Sequence, residues 1–390
     1  MKKSKINLRK IKSKNIFKVV FLFLFCFLGV FVFLNRENVL NPNLTVLWLK
    51  DIFKLPKKSE GFPIKIENEK IKAQNLKLVN GNIVLVSNTS YKCFNKNGNL
   101  ISSMPHSFFE PVLKTCEDKI LIFDLNNGNL QIGFKSTPID KIKFENKIMA
   151  ASIANDATYA VAYLTPAGNL NLEIFKALKK EPIYKKQFLD EYIADIALNK
   201  NAKIVALVIN DVESGEIVSK INVIDIKNQK EKFKIESKNN MMFFIDFISN
   251  KYALALGDNE LIVVNAKNGK HKNYNFQNKK LSAFCVNKNV GFAVALSSSE
   301  SGDDCEILIF NSGGKLKNTI KTDFKVNALS YNYGTVAALA LGKIYFYDQT
   351  FYGKNFKVAN CDNCAKNIEL ISNNKAILLT PNNIQVTSVK

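Results

Sequence analysis

The sharpest chemical spacing in the chain is Cys361-Asp362-Asn363-Cys364. Two cysteines three apart suit a redox pair, a local disulfide or half of a zinc site. Zinc needs a second ligand pair at matching spacing, and none follows. A redox role needs a helix N-terminus to lower one thiol, which a loop between strands does not supply. Cys361 and Cys364 therefore stand as a candidate disulfide or redox pair, or as two idle thiols. Cys93, Cys116, Cys285 and Cys305 are too sparse for a disulfide scaffold. Glu300, Asp303, Asp304 and Glu306 make one concentrated acidic loop, SSSESGDDCE. Carboxylates are hard ligands for calcium, but this run lacks EF-hand alternation and reads as a solvated loop. No metal site is assigned.

Acid–base chemistry has little to work with. Histidine is the commonest general base near neutral pH, and the chain has only His106 and His271. His106 follows Pro105 in a connecting loop; His271 lies beside a hairpin turn between Lys270 and Lys272. Both read as solvated loop residues. No Ser-His-Asp constellation, P-loop or H-E-x-x-H appears. Asp195, Asp225 and Asp246 lie in or beside apolar strands and read as strand-end carboxylates bonded to neighbouring backbone. No catalytic residue and no cofactor is assigned.

These groups hang on two kinds of element. The first is VVFLFLFCFLGVFVFL, 19–34, the most apolar run in the chain. As a helix it spans about 24 Å, and Ile16 and Phe17 extend it towards the hydrocarbon thickness of about 30 Å. No small-residue cleavage site follows, so it reads as an uncleaved signal anchor. Eight basic residues precede it, Lys2 and Lys3 among them, and only Arg36 closely follows. The basic side stays in the cytoplasm, which places the rest outside the cell membrane. Leu44, Leu47, Trp48, Ile52 and Leu55 then share a helical face, for the outer interface or for packing under the domain. Pro56 to Pro63, with Lys58 and Ser59, read as a linker. The resulting domains are a basic cytoplasmic head 1–18, the anchor 19–34, a juxtamembrane segment 35–61 and an extracytoplasmic domain 62–390.

The second kind of element is a repeated β-unit. FNKNGNLI (94–101), FDLNNGNLQI (123–132), VNAKNGKHKNY (264–274), FNSGGKLKNTI (310–320) and the looser IDIKNQKEKFKI (224–235) each read as an apolar strand, a turn and a polar strand. Ahead of such pieces stand others in which a strand turns into a more apolar one, as in FFIDFISNKYALALG (243–257) and LSAFCVNKNVGFAVALS (281–297). Together they make about four strands per unit. Units starting near Leu76, Pro111, Ala150, Ala194, Phe244, Ala283, Asn327 and Asn367 recur about every 42 residues, the period of a propeller blade. The count is eight, or seven if a short and a long unit are misdivided. The last unit offers three strands, so a strand within Phe62-Pro63-Ile64-Lys65-Ile66-Glu67 is expected to complete it and remove a free edge. A non-circular β-solenoid is the alternative fold.

At these residues the chain resembles β-propellers of the quinoprotein and WD40 type, and as a whole it resembles bacterial membrane-anchored propeller proteins of unassigned function. The resemblance implies an all-β fold and no catalytic residue. The Trp-Asp and Gly-His signatures of WD40 blades are missing, since the only tryptophan is Trp48.

The formal net charge of +21 leaves about +13 beyond the head, spread along the chain. It favours anionic partners or reflects a Lys- and Asn-rich composition. The expected role is a non-catalytic binding or scaffolding module in envelope assembly or sensing. Its expected partners are the membrane and a protein or anionic envelope polymer. The head's charges are what topology demands, so nucleic acid is not expected. The alternative is an envelope carbohydrate hydrolase or lyase with carboxylates at a central channel.

Overall fold

A computed structural model describes residues 5–39, 41–57, 60–189, 191–299, 301–348 and 355–389. Lys2, Lys3, Lys58, Ser59 and Glu300, named above, lie outside them. The chain divides into two compact units, Met1–Ile52 and Phe53–Lys390.

The first unit is helical. Helix α1 (Lys5–Leu34) runs unbroken through the apolar stretch, because long apolar side chains without Pro lose little freedom in a helix. Its Ile16–Phe33 segment has mean hydropathy 2.8 and is long and apolar enough to cross a membrane. A short α2 (Arg36–Val39) and then α3 (Pro42–Ile52) follow. Pro42 opens α3, where its missing N–H costs nothing. Leu44 and Trp48 of α3 are buried, and the Trp48 ring packs against Phe31 at a tilt of 37°, centres 5.8 Å apart.

The second unit consists of eight four-stranded antiparallel sheets, each pairing consecutive strands in a meander. We number them blades 1–8 and letter their strands A (innermost) to D. The A strands begin at Leu76, Pro111, Lys147, Tyr192, Met242, Lys280, Ala328 and Asn367, each within three residues of its expected start, with Lys147 and Lys280 furthest from it. Seven blades and the solenoid are thereby ruled out. Blade 8 contributes three strands of its own, and its fourth is Ile64–Lys65, with Ile64 opposite Ile384 and Lys65 opposite Asn383. Closure places Ile64, Ile66, Leu379 and Ile384 in one core cluster with blade 1.

The B strands explain the Ala–Val–Leu crowding. Gly291–Ser297 and Thr335–Ala340 are buried along their whole length, sandwiched between neighbouring blades. Small side chains let the sheets approach near the axis, and clusters such as Ala337, Leu339, Ile344 and Ile368 join one blade to the next.

One repeat copy was offset. FDLNNGNLQI joins strands Lys119–Asp124 and Asn129–Phe134, a B–C connection, whereas the other four are C–D hairpins. Backbone conformation marks the difference. Gly98, Gly269 and Gly314 hold positive φ in their C–D turns, but in blade 2 it is Asn126 that does so and Gly128 does not. Turn composition alone does not say which pair of strands a turn connects.

Candidate functional site at the central channel

The A strands place their polar side chains around the axis. In blades 3 to 6 each A–B pair slips register after its second residue or so, at Ile148/Ala150, Ile193/Asp195, Met242/Phe244 and Leu281/Ala283. The extra residue bends the strand and sets which side chains face inward below it. Polar side chains of the A strands pin several blades to the next. Ser152 Oγ accepts from Leu198 N at 3.0 Å, Asp195 Oδ2 from Ile245 N at 3.1 Å, and Ser330 Oγ from Leu370 N at 3.0 Å. Asn75 ties blade 1 to blade 2, donating to Pro111 O and accepting from Leu113 N.

Two lysines reach further. Lys114 of blade 2 donates to both oxygens of Asp195 in blade 4, at 2.9 and 3.0 Å. Its ammonium also lies 5.7 Å from the Phe244 ring centre of blade 5. Lys288, in the A–B turn of blade 6, donates to Thr115 O of blade 2 at 3.0 Å and pairs with Asp246 of blade 5 at 3.2 Å. Glu117 and Lys200 join blades 2 and 4 at 2.6 Å. Burial pushes Asp195 above the ordinary carboxylate range, against the pull of Lys114. Burial disfavours the Lys288 ammonium, but Asp246, Cys116 and Glu117 together hold Lys288 above its usual value. Burial likewise raises the Cys116 thiol, with Lys288 opposing.

The remaining sector differs. Glu369, on the innermost strand of blade 8, has no hydrogen bond or ion pair among the described residues. Burial raises its pKa, and the nearby Lys77 of blade 1 only partly offsets the rise. Cys285 of blade 6 shares this environment, and burial pushes its thiol up to about 12, so it carries no thiolate at neutral pH.

The residues singled out from sequence are scattered. Asp195 pairs across the channel and Asp246 with the lysine of the neighbouring blade, and both also accept from backbone, while Asp225 accepts from Asn228 N at 3.0 Å in a turn. His106 is half-buried, not solvated. Its Nδ1 accepts from Phe108 N at 3.2 Å, its ring packs 4.6 Å from Phe108, and burial lowers its pKa. His271 is exposed, as expected of a loop residue. Cys361 and Cys364 lie in the connector between blades 7 and 8 as free thiols. Burial, then Asp362, raises Cys361, the reverse of what a redox nucleophile needs. Among the described residues, no three His, Cys, Asp or Glu side chains converge as metal ligands. Asp303 and Asp304 line an open depression of about 590 Å³ with Lys321 and Asp323. Sequence reasoning missed Lys77, Lys114, Lys288 and Glu369. Lys114 in PVLKTC and Glu369 in NIELIS carried a signal, a lone charge inside an apolar strand.

Eight radial four-stranded blades closed by an N-terminal strand define a β-propeller. The chain belongs to the Family of unknown function (DUF5711), whose model matches residues 61–389. Solved structures share the fold at low identity. BamB from Moraxella catarrhalis is 13% identical, covering 84% of this chain and 97% of its own, with TM-score 0.52. The C-terminal WD40 domain of Sif2 is 13% identical, covering 84% and 99%, with TM-score 0.56. A eukaryotic initiation factor is 12% identical, covering 87% and 89%, with TM-score 0.57. Comparison with curated proteins found no match.

Proposed function

We propose that the chain is a membrane-anchored, extracytoplasmic propeller that acts as a non-catalytic binding or scaffolding module in envelope assembly or sensing. In this reading 1–18 is a cytoplasmic head, 19–34 the anchor, 35–61 the juxtamembrane segment and 62–390 the exposed domain, whose partner is a protein or an anionic envelope polymer. The observation that carries it is the channel. Its carboxylates Asp195 and Asp246 are held by Lys114 and Lys288 in ties that join blades. Recognition then falls to the two broad faces built by the turns. The test is cross-linking on intact cells with a membrane-impermeant reagent, which should capture discrete envelope partners.

One observation favours the hydrolase or lyase reading: Glu369 is a half-buried carboxylate on the innermost strand of blade 8 whose pKa is raised, the state a general acid requires. Release of reducing ends from envelope polysaccharide, lost in Glu369→Gln, would establish that reading and overturn ours.

A further inference from the structure

The meander sorts turns by face. A–B and C–D turns lie at one end of every blade, and B–C turns and D–A connectors at the other. Hydrogen bonds confirm the grouping: Ile226 N, entering a C–D turn, donates to Lys203 O in an A–B turn, and Ala266 N does so to Lys251 O. Charge follows this division. In blade 5 the C–D hairpin presents exposed Lys267, Lys270 and Lys272 without an acid, and blade 6 adds Lys315 and Lys317. The same hairpins of blades 3 and 4 carry six more exposed lysines against Glu181, Asp225 and Glu231. The B–C turns of these four blades contain no lysine, and their described residues include Glu213, Glu216, Asp258, Glu260, Asp303 and Asp304. Part of the surplus charge is therefore gathered in a basic arc of C–D hairpins on one face, while the B–C turns on the other carry acids beside connector lysines such as Lys279 and Lys325.

The chain also enters the propeller on the basic face. Lys57 N donates to Leu100 O at 2.7 Å, at the start of blade 1's outermost strand, and Lys54 Nζ to Ser136 O at 2.7 Å, in blade 2's C–D turn. Gly98 of blade 1's C–D turn packs against Gly61 and Phe62. The covalent route from α1 thus arrives on the lysine-bearing face.

We infer that the basic arc of blades 3–6 is a docking surface for anionic lipid headgroups of the membrane that holds α1. The inference rests on the anchored reading above. Lysine clusters attract acidic lipid within about 8 Å, the screening length at physiological salt, and a tether on the same face keeps them near that surface. The acidic face then points away from the membrane.

The test is lysine labelling of the full chain in lipid nanodiscs, read by peptide mass spectrometry. Discs of phosphatidylcholine are compared with discs containing phosphatidylglycerol. Phosphatidylglycerol should slow modification of Lys267, Lys270, Lys272, Lys315 and Lys317 severalfold and high salt should restore it, with Lys343 and Lys366 on the other face unchanged. Replacing Lys267, Lys270 and Lys272 by Glu should abolish the protection of Lys315 and Lys317 while disc retention persists. Equal labelling in both discs overturns the inference and leaves the anchor standing. So does protection by a soluble anionic glycopolymer with none from phosphatidylglycerol. Failure of the wild-type chain to stay with any disc overturns the anchored reading itself.

Discussion

Lys114 and Asp195 hold blades 2 and 4 across the axis, and removing one member strands the other in a buried setting. Lys114→Ala should cost about 3 kcal/mol, read by denaturant unfolding. Replacing both by apolar residues of similar size should restore most of that loss, since the intact pair itself contributes little net stability. Glu369 gives the opposite case. Its folded pKa lies above the unfolded value, so its stabilising contribution is full below the unfolded pKa and is lost as pH rises through the folded one. Gln mimics the protonated acid and escapes that loss. Glu369→Gln should therefore match wild type in acid and melt higher at neutral pH, measured as Tm against pH; a lower Tm at neutral pH would contradict the burial argument. Neither residue's role was legible in sequence, because a lone charge in an apolar strand does not say which blade it meets once the ring is closed.

The C–D hairpins show which part of an element the sequence specifies. Gly98, Gly269 and Gly314 occupy the left-handed position of their turns, and in blade 4 the same place falls to Gln229 at φ 53°. A side chain there costs about 1 kcal/mol, and Gln229 is exposed with nothing to gain from contact. Gln229→Gly should raise stability by about that amount, checked by the shift of the denaturation midpoint. The closing strand makes the converse point. It is only two residues long in its pairing, yet Ile64 and Ile66 are more than nine-tenths buried. Ile66→Ala should cost about 2–4 kcal/mol and expose the edge of blade 8, seen as lower Tm with concentration-dependent association. This strand was legible because blade 8 came one strand short. The offset of blade 2 was not, because an Asn-Gly turn suits B–C and C–D connections equally.

At the scale of the molecule the sequence carried the repeat, the blade number and the closure, since each depends on apolar strands at a fixed period. It hid the division of charge. Lysines and acids alternate along the chain, and only the meander assigns the lysine-rich C–D turns to one face and the acidic B–C turns to the other. The candidate site was equally hidden, since Lys77, Lys114, Lys288 and Glu369 come from short strands of four to six residues and a turn, far apart in sequence. Both features matter only if the propeller stands outside the membrane with α1 as its anchor. Cys364, an exposed thiol in the connector between blades 7 and 8, reports on this directly. Intact cells treated with a membrane-impermeant reductant and then a membrane-impermeant maleimide should label Cys364 as fully as lysed cells do. Labelling confined to lysed cells would contradict the extracytoplasmic placement on which the account depends.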